Sequence, residues 1–149
     1  MSRSRLSPWI PAVLALLLFC QAAGAQQPAG GEAQAVEAAK AFLAQVDAGN
    51  YGDTWNNLAS AQKNLIGKDS WSSLVGTNRQ RFGKLSSRRL ESTEPSTTLP
   101  GAPDGQYVVL TYESVFGGKR SALEIVTTTL DEDGKWKVLR YALRKIRNK

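Results

Sequence analysis

The chain has 149 residues, 42% of them apolar, and a formal net charge of +6, which suits one domain around one core. It contains no histidine and a single cysteine, Cys20. The first absence removes the commonest general base, the Ser-His-Asp triad and most transition-metal sites, and the second rules out an internal disulfide. Any catalysis would have to run on carboxylates, tyrosines or lysines.

The N-terminus reads as an export signal. Arg3 and Arg5 precede an apolar run from Trp9 to Cys20, and Ala23-Gly24-Ala25 offers the small-x-small pattern that a signal peptidase cuts. The run of 12 residues is too short to cross ~30 Å of hydrocarbon as a permanent helix. A lipid-attachment cysteine needs a small residue before it, and Phe19 precedes Cys20. The expectation is cleavage after Ala25, with a mature chain that starts at Gln26 in the periplasm or the extracellular medium. That chain would carry 17 basic against 13 acidic residues, with no transmembrane segment and no nucleic-acid partner.

Residues 26–31 read as a disordered leader, and the domain as 32–149. From Glu32, Val36, Ala39, Leu43 and Val46 form one apolar stripe that Phe42 widens, ending at Gly49. Asn50 is expected to cap a second helix, with Tyr51, Trp55 and Leu58 on one face and an extension through Leu65 and Ile66 to Gly67. Asp69 or Ser70 opens a third, carrying Trp71, Leu74, Val75 and Phe82 and closed by Gly83. The period then changes to two. Lys84 to Glu91 reads as a thin edge strand, and Glu94 to Gly105, with three prolines, as a long connection. Strands follow at Tyr107–Phe116, Ser121–Leu130 and Trp136–Arg144, turned by Gly117-Gly118 and by Asp131 to Gly134. The prediction is an α+β fold, with three N-terminal helices packed on a curved antiparallel sheet of about four strands, a cystatin-like cone.

Pairing across both turns places Val108, Leu110, Tyr112, Leu123, Ile125, Trp136 and Val138 on one face. The other face receives Val109, Val126, Leu130, Leu139, Tyr141 and Leu143. A sheet apolar on both sides implies that an N-terminal arm or a second copy covers the far face. A homodimer through Val109, Val126, Leu139, Tyr141 and Leu143 is the expectation.

Tyr51, Trp55, Trp71 and Tyr112 are the candidate ligand-binding residues, from an aromatic set that includes Trp136 and Tyr141. Each also falls where a core side chain is expected, and buried tyrosine and tryptophan need partners for O–H and N–H. Glu113 and Glu124 lie diagonally across a hairpin, where two close carboxylates could act as acid and base. Without a third partner they read as solvated strand residues. Asp131-Glu132-Asp133-Gly134 fails as a calcium loop, because Thr129 and Arg140 would fall at positions that need carboxylates. Gly117-Gly118-Lys119 lacks the upstream glycine of a phosphate-binding loop. Arg79, Arg81, Lys84, Arg88 and Arg89 straddle a helix C-terminus, whose dipole favours cations. Seven basic residues fall in the last 15 positions: Lys135, Lys137, Arg140, Arg144, Lys145, Arg147 and Lys149. They read as a solvated strand edge and tail, or as a contact for anionic envelope surfaces.

The run Leu99-Pro100-Gly101-Ala102-Pro103-Asp104-Gly105-Gln106-Tyr107-Val108-Val109 continues through Tyr112, Ser114, Phe116, Lys119, Glu124, Asp131, Gly134, Trp136 and Val138. With Asp47-Ala48-Gly49, Tyr51 and Trp55 upstream, the chain resembles the exported bacterial family catalogued as domain of unknown function 4019. The resemblance implies export and an α+β fold, and it implies no activity. Isomerases of the cone-shaped, ketosteroid-isomerase-like folds pair a carboxylate base with tyrosine or protonated-acid donors, and no such constellation matches here. The expected function is therefore an exported, non-catalytic binding domain without metal or cofactor, whose partner is a small apolar ligand or an envelope protein. The alternatives are a small carboxylate- and tyrosine-based isomerase or hydrolase, and an envelope-associated structural protein that docks through its basic C-terminus.

Overall fold

A computed structural model describes residues 29–146. The expected signal segment, the first part of the leader, and Arg147 and Lys149 lie outside the described residues. Helix α1 spans Ala29–Asp47, beginning inside the segment read as leader. Ala35, Ala39, Phe42, Leu43 and Val46 are its buried face, at helical spacing. It stops where Gly49 takes a positive φ of 79°. Asn50 N–H then reaches the Gln45 carbonyl at 3.0 Å and Gly49 N–H the Val46 carbonyl at 3.1 Å, which closes the helix end in a Schellman motif.

The expected second helix is broken. It becomes α2 (Tyr51–Thr54), a 3-10 turn (Trp55–Asn57) and α3 (Ser60–Lys63). Leu58 is extended and bridges Val138 in parallel, and Ala59 N–H donates to the Val138 carbonyl at 2.8 Å. The sheet edge takes backbone groups that a continuous helix would have used internally. Asn50 caps α2 by its carbonyl alone, because its side chain turns to Gln45 Oε1 at 3.0 Å. Helix α4 covers Lys68–Gln80, with Trp71, Val75 and Gly76 buried. A Cβ on Gly76 would meet the Tyr51 ring at 3.1 Å, so the missing side chain lets α2 and α4 approach.

Strands β1 (Leu85–Ser96), β2 (Tyr107–Phe116), β3 (Arg120–Leu130) and β4 (Trp136–Lys145) form an antiparallel meander in sequence order. β1 runs past Glu91 and includes Pro95, which an edge strand tolerates. The fold is α+β, with helices N-terminal to a four-stranded sheet. Among the described residues two of those helices are long and two are single turns. α1 lies across β2, β3 and β4, and the core gathers between them.

The faces differ from the expected sorting for two local reasons. The β2–β3 turn takes three residues, so Phe116 pairs with Arg120 and Leu110 with Val126. A two-residue Gly117-Gly118 turn would have paired Leu110 with Ile125, and a shift of one residue flips a whole strand. Leu123 and Ile125 therefore face outward, and Glu124 and Val126 inward. In β4, Thr127 pairs with Arg140 and Thr128 with Val138, which leaves Leu139 as a bulge. Past the bulge Tyr141 and Leu143 join the inner face. Val126 is fully buried and Tyr141 sits edge-on to Phe42, with ring centroids 5.3 Å apart. The apolar patch expected to join two copies is thus divided between the two faces and is not assembled.

Part of the outer face is covered from within. Residues 97–106 fold back so that Leu99 and Ala102 pack on Tyr107, Leu139 and Ala59. The Tyr107 hydroxyl donates to the Pro103 carbonyl at 2.5 Å, and Arg140 Nη2 donates to the Pro100 carbonyl at 3.0 Å.

The β3–β4 turn also caps α3. Asp131 Oδ2 accepts from Ser60 N–H at 3.0 Å and Ser60 Oγ at 2.9 Å, with Lys137 Nζ at 3.1 Å. Burial pushes this carboxyl up, but the Ser60 N–H, the Lys137 ammonium and the Ser60 hydroxyl outweigh it, and its pKa falls to about 2. An unfolded aspartate titrates near ~3.9, so this stabilisation is complete above that pH and is lost as pH falls toward ~2. Asp131→Asn should cost about 1–2 kcal/mol near neutrality. Its urea-unfolding free energy should converge on that of wild type in strong acid. Parallel pH profiles for the two proteins would refute the cap.

Candidate functional site

A carboxylate that points into an apolar core must find donors or lose its charge. Glu124, turned inward by the β2–β3 register, is fully buried. Its Oε2 accepts from Arg88 Nε at 2.6 Å and from Ser114 Oγ at 2.5 Å, and its Oε1 from the Tyr141 hydroxyl at 2.8 Å. Arg88, inward-facing on β1, continues to the last residue of α1: Nη1 and Nη2 reach the two Asp47 oxygens at 2.6 and 3.0 Å. Asp47 Oδ1 also accepts from Arg79 Nη2 of α4 at 2.8 Å. Arg79 is buried over the Phe116 ring, 4.5 Å from its centroid. The chain Arg79–Asp47–Arg88–Glu124–Tyr141 thus ties α4, α1 and three strands together.

The electrostatics follow from that order. Burial alone would lower the Arg88 pKa, but hydrogen bonds to Asp47 and Glu124 raise it on balance. Burial pushes the Tyr141 hydroxyl up, and the negative Glu124 adds to it. Burial likewise raises the Tyr112 hydroxyl, against the pull of Arg88. Both Glu124 oxygens and both Asp47 oxygens already take strong donors, so the network clamps its carboxylates in place.

Two buried polar atoms among the described residues have no partner, Arg79 Nε and the Tyr112 hydroxyl. Arg79 borders a groove of about 470 Å³ between the ends of α1 and α4 and the start of β1, lined also by Val46, Asp47, Tyr51, Lys84 and Leu85.

The four sequence candidates do not converge. Tyr51 borders the groove, with its ring against Gly76. Trp55 donates from Nε1 to the Ile66 carbonyl at 3.2 Å and lies under Lys63 Nζ, 4.9 Å from the ring centroid. Trp71 is buried, and its Nε1 donates to Thr54 Oγ1 at 2.8 Å. Tyr112 is buried under α1 on the inner sheet face. Glu113 and Glu124 part to opposite faces, Glu113 meeting Arg89 at 2.9 Å on the outside, so they form no acid–base pair. Glu124 is a core residue, where a solvated one was expected. Asp47, Arg79, Arg88 and Ser114 were not singled out as site residues. The signal for Arg88 was an arginine at an inward position of a strand with few apolar residues.

Among the described residues no three acidic or thiol side chains gather as metal ligands, and no helix is long and apolar enough to cross a membrane. Asp131 and Asp133 both face Lys137 Nζ, at 3.1 and 2.8 Å, as a charged turn.

Residues 38–141 match the family described as a protein of unknown function, DUF4019. The chain belongs to that family. The match runs from the middle of α1 to Tyr141 in β4, so the DUF4019 region holds every residue of the charge network and of the groove. No curated relative and no solved structure matches the chain.

Proposed function

We propose that this DUF4019 protein is an exported, non-catalytic binding domain whose ligand occupies the groove between Tyr51, Arg79, Lys84 and Leu85. The observation that carries this reading is Arg79, a residue that lines the groove and whose buried Nε has no partner among the described residues. Leaving such a donor unmet costs about 1–3 kcal/mol, which an acceptor on a ligand would recover. Val46, Tyr51 and Leu85 offer apolar contact beside it, so the fitting ligand has a small apolar body and one anionic or acceptor group. The clamped state of Asp47 and Glu124 favours binding over acid–base chemistry, since a general base needs access to the proton that it removes.

Titrating ¹⁵N-labelled protein with phenylacetate and octanoate, and with their amides, tests this. The acids should shift amide resonances in Val46–Tyr51 and Arg79–Leu85, saturably and more tightly than the amides. Tyr51→Leu, which keeps the bulk, should weaken the effect about tenfold, in line with ~1.4 kcal/mol of lost contact. Saturable shifts centred elsewhere, or no shifts at millimolar probe, would defeat the proposal.

A further inference from the structure

The five described basic residues among the last 15 positions, Lys135, Lys137, Arg140, Arg144 and Lys145, do not stay together in the fold. Lys137 is held by Asp131 and Asp133, Arg140 donates to the Pro100 carbonyl, and Lys135 lies in the β3–β4 turn. The fold instead gathers a different set at the opposite end of the sheet. Gly117 N–H donates to the Lys84 carbonyl and Gly118 N–H to Ser86 Oγ, both at 2.8 Å, which seats the β2–β3 turn and Lys119 beside Lys84. Arg120 Nη1 donates to the Arg81 carbonyl at 2.9 Å. Ile146 N–H reaches the Ser121 carbonyl at 3.2 Å and brings the end of β4 alongside. Arg81, Lys84, Lys119, Arg120, Arg144 and Lys145 are all exposed, and none makes an ion pair among the described residues.

The segments 78–87, 114–123 and 143–146 hold these six cations and Arg79, and not one carboxylate. The rest of the described chain carries eight basic residues against thirteen acidic ones. Among the described residues the excess of positive charge is therefore concentrated in these three segments. Like charges at one end of a molecule repel one another over roughly a Debye length (~8–10 Å), and an external surface of opposite sign relieves that repulsion.

We infer that this end, formed by the end of α4, the β2–β3 turn and the end of β4, docks the protein on an anionic phospholipid surface. The inference rests on the exported, envelope-facing reading for the choice of lipid, whereas its test in vitro is independent of export. Headgroup phosphates supply a continuous anionic plane, and each cation near such a plane adds to affinity.

Every core cluster lies between Ala35 and Leu143, so a chain from Gln26 to Lys149 keeps the fold and is the test protein. Co-sedimentation would use vesicles of phosphatidylcholine alone and of phosphatidylcholine with about 30% phosphatidylglycerol. Binding should need phosphatidylglycerol and should weaken as salt rises. The triple variant Lys84→Glu, Lys119→Glu, Lys145→Glu should lose roughly 100-fold in partition coefficient, about fivefold per cation. The variant Lys40→Glu, Lys68→Glu, Lys135→Glu has the same net charge and should bind like wild type. If circular dichroism shows the first triple variant unfolded, the corresponding Gln substitutions should still give a loss of about tenfold or more. Equal binding to both vesicle types overturns the inference, as does equal loss in the two triple variants. So does retention on a polyphosphate resin without vesicle binding, which would point to a soluble polyanion.

Discussion

Arg88→Ala is expected to destabilise the fold by about 3–5 kcal/mol, because it strands the fully buried Glu124 without its cation. Ser114 and Tyr141 would still donate to that carboxylate, but neutral hydroxyls do not replace a guanidinium. Asp47 would also lose its bidentate partner and keep only Arg79. Glu124→Leu together with Arg88→Met should cost less than the sum of the two single changes, by about 1–3 kcal/mol of coupling. Urea unfolding of Arg88→Ala and of the four proteins of the cycle gives every term. A loss below ~1 kcal/mol for Arg88→Ala would place the network with exposed ion pairs, which contribute little. That outcome would remove the reason to treat it as the tie between helices and sheet.

Phe42→Ala should cost about 3–5 kcal/mol, the range for deleting a buried aromatic ring. Phe42 is fully buried in the C-terminal half of α1, with its ring centroid 5.3 Å from that of Tyr141 and 6.3 Å from that of Trp71. Its removal opens a cavity where α1, α4 and the sheet meet. A domain of this size should lose at least ~10 °C in Tm. The near-ultraviolet dichroism of Trp71 should weaken with it, because its ring would lose a fixed neighbour. Phe42→Leu should cost less than half as much, since most of the volume is refilled. Leu65→Ala serves as the contrast: that side chain is 81% exposed, and its loss should stay within ~0.5 kcal/mol. A Phe42→Ala effect no larger than that of Leu65→Ala would mean that α1 is not docked as described.

The alternation of residues 107–116, 120–130 and 136–145 and the helical stripe of α1 were legible because each is a local periodicity that burial on one side enforces. The break at Leu58–Ala59 was not legible, because the acceptor that ends the helix is the Val138 carbonyl, 79 residues beyond its donor Ala59. Of the candidate site, the sequence supplied Tyr51 as a possible liner, and tertiary structure alone supplied Asp47, Arg79, Arg88 and Ser114. Face assignment failed for a sharper reason. One extra residue in the β2–β3 turn and one bulge at Leu139 each reverse a period-two pattern, and a bulge carries almost no signal in residue type.

By itself the sequence determined the α+β class, the antiparallel order of the last three strands and the family. These depend on patterns within about ten residues and on a distinctive run, and neither needs knowledge of what lies opposite. Only the tertiary structure decided that Glu124 lies inside, that Arg88 and Asp47 answer it, and that six cations from three separate segments share one end. The reason is physical. Burial and charge pairing are set by register and by contacts between residues up to about a hundred positions apart, and a chain read along its length does not contain them.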